Sequence, residues 1–300
     1  MQNLQIALVT CFSLGGYTAN ADSEDERLFN YLKEKGVNVS FQVWDDATVD
    51  WASFDALVIK SPWDYFDKID AFYEWLDKVE NLGCQVFNSI DTIRWNTDKK
   101  YFKDLAAQGV AVVPTVWLEQ ESQFTPAAIF EALQTDHLIV KPRISGGAKN
   151  TFAVHKSDVT KYTDKVNELL KSEPLMAQPF LEEVKTQGEW SFLFFNGTYS
   201  HAVLKTAKPG DFRVQHFFGG TIHTPEPPAG LLKSAQQTVD KFASNCLYAR
   251  VDGVELHGEL VLMELELIEP FLFLSTNEHA LARYIDALTS LLQVREPSLC

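Results

Sequence analysis

A chain of 300 residues with a formal net charge of -15, 26 Lys and Arg against 41 Asp and Glu, cannot hold nucleic acid or an anionic membrane by charge alone, because neutralising phosphates needs clustered cations. Hydrophobic residues make up 46%, too many for a disordered chain, and the length asks for two or three units rather than one core. No apolar run approaches the roughly 20 residues that cross a bilayer, and "MQNLQIALVT" has no basic stretch ahead of its apolar run, so it reads as a first buried strand of a cytoplasmic protein rather than an export signal.

Over 1–95 apolar strand runs alternate with helical ones: "IALVTC", a helix from about Asp22 closed by Gly36, "VSFQVW", "DALVIKS", then "KIDAFYEWLDKVENLG" ending at Gly83, and "QVFN". Such alternation predicts a doubly wound parallel sheet. Gly15 and Gly16 in "CFSLGGYT" follow the first strand but do not make G-x-G-x-x-G, so a glycine-bearing loop is expected rather than a dinucleotide fingerprint. Trp63, Asp64 and Tyr65 in "KSPWDY" follow a strand where open α/β sheets take ligands, which makes them candidates for contact with an acceptor substrate. A packing aromatic pair accounts for Trp63 and Tyr65 equally well.

From 96 to 180 the texture is α+β. Thr97 is placed to cap a helix "DKKYFKDLAAQ" that Gly109 stops, and "VAVVPTVWL" follows as a strand. A short helix from Pro126, two strands around a polar turn in "HLIVKPRISGGAKNTFAVH", and a helix over about 157–171 complete this part. From 181 to 300 "EWSFLFFNGTYSHAVLK" carries an antiparallel pattern, with Asn196-Gly197 a hairpin turn. Cys11, Cys84, Cys246 and Cys300 lie without a C-x-x-C pair or a His at ligand spacing, and reduced thiols are expected. The absence of a sustained heptad leaves a homo-oligomer open.

The stretch "LMELELIEPFLFL" sets Glu264 and Glu266 into an apolar run, preceded by "LYARVDGVELHGELV". A three-residue loop at 257–259 would pair 256 with 260, placing Asp252 opposite Glu264 and Arg250 opposite Glu266. With side chains alternating, these four share one face and Met263, Leu265 and Leu267 the other. Glu264 and Glu266 would then have Cα atoms about 6.6 Å apart. Carboxylates that close repel unless cations lie among them, and hard oxygen ligands suit Mg2+. A solvated outer face with Arg250 as a cross-strand ion-pair partner is the alternative on this evidence.

In chain order the polar landmarks are "TDKKYF", "IVKPRISGGA", "AQPFL", "QGEWS", "GDFRVQ", "ARVDGV" and "LMELELIEP". This series, over about 96–273, resembles the ATP-grasp superfamily, and most closely the glutathione-synthetase-like carboxylate–amine ligases that include D-alanine:D-alanine ligase and the cyclo-ligase of D-cycloserine biosynthesis. The resemblance implies an α/β protein, α+β in its ATP-binding lobes, with the ATP-grasp fold and an N-terminal doubly wound parallel-sheet domain. Its units would be an N-terminal substrate-side domain at 1–95, a central lid at 96–180 and a C-terminal unit with the metal site at 181–300.

Position by position, the resemblance makes Lys99 (rather than Lys100) and Lys141 the nucleotide lysines, and Ser145, Gly146 and Gly147 a loop that closes over the triphosphate with backbone N–H groups. It makes Gln178, Phe180 and Leu181 part of the adenine-reading hinge and Glu189 the ribose acid. Arg213 and Arg250 become the catalytic cations, and Asp252, Glu264 and Glu266 the metal ligands. Glu266 stands where the commonest pattern has asparagine. His201 and Lys205 in "SHAVLK" match the cyclo-ligase branch, although His201 also reads as a core histidine.

The implied ligands are ATP with Mg2+, two ions, Mn2+ being an alternative. The implied partners are a small-molecule carboxylate and an amine, with no nucleic acid and no membrane. The implied activity is ATP-dependent C–N bond formation through an acyl phosphate, giving an amide or a ring from an amino acid or small peptide. Two rivals are a non-catalytic nucleotide-binding ATP-grasp protein and a kinase-like member that stops at a phosphorylated product. Retention of both lysines, Arg213 and three acids weighs against the first.

Overall fold

The computed structural model describes residues 4–12, 18–208, 214 and 219–293 and, for residues 18–23, the backbone alone. Chain order is β1 (Gln5–Thr10), α1 (Thr18–Glu34), β2 (Asn38–Val43), β3 (Ala56–Ser61), α2 (Ile69–Asn81), β4 (Val86–Phe87), α3 (Ile90–Thr97) and α4 (Tyr101–Ala107). Then come β5 (Val116–Leu118), α5 (Pro126–Leu133), β6 (His137–Pro142), β7 (Phe152–His155), α6 (Thr160–Ser172), β8 (Leu175–Pro179) and α7 (Glu183–Thr186). The chain continues through β9 (Glu189–Phe195), β10 (Thr198–Thr206), β11 (Thr221–His223), α8 (Ala229–Phe242), β12 (Tyr248–Leu256), β13 (Glu259–Glu266) and α9 (Ala280–Gln293).

Three sheets result among the described residues. The first is parallel, in the order β2-β1-β3-β4, and its strand order reverses between β1 and β3. Ligands of such sheets sit beyond the carboxyl ends of the strands at that reversal. The turn after β3, with Trp63 and Tyr65, leaves from there. The second sheet, β5-β8-β6-β7, is antiparallel and packs Leu138, Val140 and Val154 against Ile129 of α5 and Val166 and Leu170 of α6.

In the third sheet, β11-β10-β9-β12-β13, the central strand β9 is buried on both faces, which is why "EWSFLFF" is almost wholly apolar. Phe192 and Phe194 face α8, whereas Leu193 and Phe195 face the core that α9 closes. Through Tyr284, Ile285 and Leu288, α9 returns the last described part of the chain to a core shared with Ile6 and Leu8 of β1. No helix among the described residues is long and apolar enough to cross a membrane.

Several local expectations are corrected. α1 starts at Thr18, earlier than the Asp22 start, and the Thr97 hydroxyl donates to the Ile93 carbonyl inside α3 rather than capping the next helix. The Asp98 carboxylate instead accepts from the Lys100 N–H at the head of α4. The run "VAVVPTVWL" is not one strand: Pro114 divides it, β5 joins the second sheet, and the Ala111 carbonyl and Val113 N–H pair with both backbone groups of Leu262 on the outer edge of β13. Proline cannot donate to a ladder, so a strand through it would lose a bond.

Residues 267–274 belong to no strand, yet side chains satisfy their backbone groups. Asn96 accepts from the Leu267 N–H, Asn88 donates to the Leu267 carbonyl, and the Tyr248 hydroxyl donates to Ile268 O. Trp63 Nε1 donates to Glu269 O at 3.0 Å and Arg250 to Phe271 O at 3.0 Å. The Glu24 carboxylate accepts from the N–H groups of Leu272 at 2.8 Å and Leu274 at 3.0 Å, and is balanced by Lys60, which is 1% exposed.

Burial alone would lower the Lys60 pKa, but Asp25 and Glu24 raise it above its ordinary value, so the pair stays ionised. Removing the cation strands a buried carboxylate. Lys60→Met should therefore cost about 3–5 kcal/mol, read as a lower midpoint in urea unfolding.

His201 sits in this core, 4% exposed, with Nε2–H donating to Leu272 O at 3.0 Å and Nδ1 accepting from Ser200 at 2.9 Å. Burial pushes its pKa down to about 4 from 6.5. The unfolded chain thus takes a proton that the folded one refuses, and the stability present above pH 6.5 is lost as pH falls towards 4, by up to about 3 kcal/mol. His201→Gln should flatten the acid limb of a stability–pH curve measured by urea unfolding.

Candidate active site

The β12–β13 hairpin is built differently from the expected three-residue loop, yet reaches the same pairing at its far end. Leu256 pairs with Glu259, so the turn is His257-Gly258, both at positive φ (55° and 83°), the geometry of a two-residue hairpin turn. That turn alone would slip every later pair by one. A bulge between Asp252 and Gly253, with Met263 as the additional residue, restores Asp252 opposite Glu264 and Arg250 opposite Glu266. Gly253 is required there: a Cβ would lie 2.5 Å from the Val261 carbonyl oxygen. The bulge also moves Met263 from the face expected for it to the pocket side, against Leu181, Val184 and Val254, while Leu265 and Leu267 keep the core face.

Arg250, Asp252, Glu264 and Glu266 line a cavity of about 550 Å³ between the second and third sheets and the first sheet's turn. Lys99, Lys141, Ser145, Gly146 and Gly147 line it from the second sheet and the head of α4. Gln178, Phe180, Leu181 and Glu189 line it along the connection from β8 to β9. Arg213 lies outside the described residues. Trp63 and Tyr65 also line the cavity, whereas Asp64 accepts from Trp44 Nε1 and Lys68, both at 2.7 Å, and serves the fold.

Local geometry places each group. Arg143, 4% exposed, grips Asp98 and accepts the Lys99 N–H on its own carbonyl, which turns the Lys99 side chain inward while Lys100 points out to Glu119. Lys99 Nζ then donates to Ser145 O at 2.8 Å and lies 3.2 Å from Glu264, so it holds the glycine loop near the acidic ribbon. A Cβ on Gly146 would come 2.6 Å from Phe66 of the first unit, and Lys149 pairs with Asp67 beside it. Gln178 donates to Thr115 at 3.0 Å, and the Phe180 ring stacks on His137 at 4.2 Å. The Phe180 N–H donates to His137 O and is not free to read a base.

The acids differ in how they are balanced. Burial would raise the Asp252 pKa, but Arg250 and Lys205 overcome it, and with the Ser191 hydroxyl donating at 2.7 Å they hold the carboxyl well below the usual range. Burial is likewise overcome at Glu264 by Lys99 and Lys141, and its pKa falls. At Glu266 burial wins over Arg250, helped by repulsion from Asp252 and Glu264, and the pKa rises to about 8. Burial and Glu264 together push Glu269 up to about 7 against the pull of Lys99. Burial and Lys99 lower the Lys141 pKa against Glu264 and Glu189.

The three ribbon acids share the cavity, but the expected convergence of their oxygens is not present: among the described residues no three His, Cys, Asp or Glu side chains are grouped to hold a metal ion. Each carboxylate is turned to a basic side chain instead, Asp252 to Arg250 and Lys205, Glu264 to Lys99, and Glu266 to Arg250. Hard carboxylate donors, of which Glu266 has its pKa raised first by burial and then by repulsion from Asp252 and Glu264, are nonetheless the donor set a divalent cation takes.

Lys205, 4% exposed, is the site residue whose position the sequence did not disclose: it bridges Glu189 and Asp252. From the Asn196-Gly197 turn, undisturbed counting sets it opposite Gly188, and a bulge between Tyr199 and His201 moves it to Glu189.

Known proteins share this architecture. The chain matches the crystal structure of D-alanine–D-alanine ligase from Bacillus anthracis complexed with ATP with a TM-score of 0.71 at 15% identity, covering 97% of this chain and 98% of that one. It matches the ATP-grasp ligase PsnB with its minimal precursor at a TM-score of 0.65 and 15% identity, over 96% of this chain and 99% of that one. The fold is therefore ATP-grasp.

More particularly, residues 6–88 match the family model described as D-cycloserine synthetase DcsG, N-terminal domain. The cycloserine biosynthesis protein DcsG of Streptomyces lavendulae is 28% identical over 291 residues, covering 89% of this chain and 93% of that protein. A crystal structure of D-cycloserine synthetase DcsG matches with a TM-score of 0.80 at 28% identity, over 96% and 99% of the two chains. The chain is an enzyme of the ATP-grasp carboxylate–amine ligase class and a relative of DcsG.

Because the bulge sets the register of the acids, Gly253→Ala should both destabilise the protein by about 1–3 kcal/mol and weaken nucleotide binding. Urea unfolding and titration with a fluorescent ATP analogue measure the two effects.

Proposed function

We propose that the cavity joins a small carboxylate to an amine at the expense of ATP, in two steps. The carboxylate oxygen takes the terminal phosphoryl group, releasing ADP; the amine nitrogen then attacks the acyl carbon and phosphate leaves, giving an amide, open or closed into a ring. The observation that carries this is the facing of Lys99 from the head of α4 and Lys141 from the second sheet with Asp252, Glu264 and Glu266 from the third sheet across one cavity. Transfer of this kind asks little covalent chemistry of the protein and much positioning and charge balance.

In this proposal Lys99 and Lys141 hold the phosphates, Lys141 being suited to it because no described carboxylate pairs with it. Backbone N–H groups of 145–147 cover the tail, Gln178 to Leu181 border the base, Glu189 borders the ribose, and Arg250 with Arg213 meets the transferring group. Asp252, Glu264 and Glu266 would hold Mg2+, two ions, which when bound supplies the positive charge that offsets phosphate repulsion. Lys99 and Arg250, which neutralise Glu264 and Glu266 here, would turn towards the phosphates as those carboxylates are engaged elsewhere. Contact of the glycine loop with Phe66 brings the first unit against the cavity and shields an acyl phosphate from water.

Glu264→Gln should abolish Mg2+-dependent ADP release, by roughly a hundredfold or more for a lost charge-stabilising group, with an unchanged unfolding midpoint. Hydroxylamine in the wild-type reaction should yield a hydroxamate, which a stable phosphorylated product would not. Full activity in the variant, or ADP formed with no trappable acyl group, would remove the assignment.

A further inference from the structure

β13 carries Glu264 and Glu266 at the edge of the third sheet, with β12 as its strand partner on one side. On the other side its outward backbone groups are met one after another. Leu262 is met by the backbone of Ala111 and Val113. The Leu265 N–H donates to the Tyr101 hydroxyl at 3.1 Å, and the Leu265 carbonyl accepts from Asn96 Nδ2 at 2.8 Å. Asn96 Oδ1 accepts from the Leu267 N–H at 2.9 Å, which settles which way that amide faces.

Outward groups recur at every second residue of an unbroken strand. Here they pass from 262 to 265 and then to 267, so the bulge opposite Gly253 divides β13 into two phases. The chain at 111–113 holds the first phase; Tyr101 and Asn96 hold the second. A strand that slips by one residue turns its side chains to the opposite face. Whatever holds the second phase therefore keeps Glu264 and Glu266 on the cavity side and Leu265 and Leu267 in the core.

Both holding residues are buried, Tyr101 at 2% and Asn96 at 7% exposed, and they flank Lys99 in the chain. Asn96 lies in the last turn of α3 and Tyr101 opens α4. Between them the Lys99 N–H is held separately by the Arg143 carbonyl at 3.1 Å, and Lys99 Nζ reaches to 3.2 Å from Glu264. One corner of the chain, 96–101, thus grips the backbone between the two acids and sets a cation against the first of them.

We propose that Tyr101 and Asn96 are positioning residues of the site: by holding both outward groups of Leu265 they set Glu264 and Glu266 at the spacing that a divalent cation takes beside Lys99. They act through the two carboxylates, and this rests on the metal role proposed for those carboxylates. Groups that orient metal ligands are worth roughly ten- to a hundredfold in metal affinity.

The test is equilibrium binding of a fluorescent ATP analogue to the full chain, with saturating Mg2+ and with EDTA, so that no turnover is needed. In the wild-type protein Mg2+ should tighten binding. Tyr101→Phe keeps the ring and removes one oxygen, and the ratio of the two affinities should fall by roughly tenfold or more, with the affinity in EDTA little changed because Lys99 keeps its own anchor on Arg143. Asn96→Leu, which removes two bonds, should lower the ratio further. Tyr248→Phe is the control: it deletes a comparably buried hydroxyl that donates to Ile268 O, beyond both acids, and should lower the urea-unfolding midpoint while leaving the ratio alone.

A merely structural role would make Tyr101→Phe behave as the control does, with a lower midpoint and an unchanged ratio, and that result overturns the proposal. So does a Tyr101→Phe chain that fails to fold, since the hydroxyl would then serve the fold; one unmet amide is small against the stability of a domain, and a folded variant is expected. Failure of the metal reading shows separately, in the wild-type protein, as an affinity indifferent to Mg2+, and it removes the proposal with it.

Discussion

The site depends on a constraint that no single sheet supplies: eight residues, 267–274, run through the interior with no strand to pair with, and their backbone polar groups must still be satisfied. Side chains from every quarter of the first and third sheets do this. Asn88 and Asn96 come from the end of the first sheet and the helix after it, Tyr248 and Arg250 from β12, Trp63 from the turn after β3, His201 from β10 and Glu24 from α1. Because one carboxylate closes the set and is itself balanced by a buried lysine, the relative placement of the first and third sheets is a matter of hydrogen-bond geometry as well as apolar packing. The cavity wall that carries Glu269, Phe271 and Phe273 is thereby held in place.

The second constraint is electrostatic. A chain with a net charge of -15 gathers Lys99, Lys141, Lys205 and Arg250 around five carboxylates in one cavity. Buried charges persist only when paired, and here nearly every pair is made between different elements, so the site is a balanced network rather than a basic patch. A charged ligand entering it exchanges partners with side chains that already hold one another. This reconciles an acidic protein with the handling of an anionic nucleotide: the attraction is local and the surface field plays no part in it.

Much of this was legible in the amino-acid order, for reasons that can be named. Alternation of strand and helix patterns over the first 95 residues gave the parallel sheet, and Asn196-Gly197 gave a hairpin, because both signals are local. Apart from "GDFRVQ", whose Arg213 lies outside the described residues, every one of the ordered polar landmarks contributes lining to the cavity. Bulges were not legible. The turn at His257-Gly258 is shorter than expected and the bulge at Gly253 cancels the difference, so the pairing of Asp252 with Glu264 was right through two compensating departures. The bulge at Tyr199/His201 had no compensating error, and it hid the alignment of Lys205 with Glu189.

By itself, then, the order of residues determined the class of fold, the strand ends that bear charge and the acidic character of the final hairpin, since periodicity and turn chemistry act over a few neighbours. Which acid meets which base was decided only by the tertiary structure. Partners such as Glu24 and Leu272 are 248 positions apart, and Trp63 and Glu269 are 206 apart, so no pattern within the chain carries their distance. Burial, too, is a property of the assembled sheets: it is what turns ordinary lysines and glutamates into groups that must find a partner or wait for one.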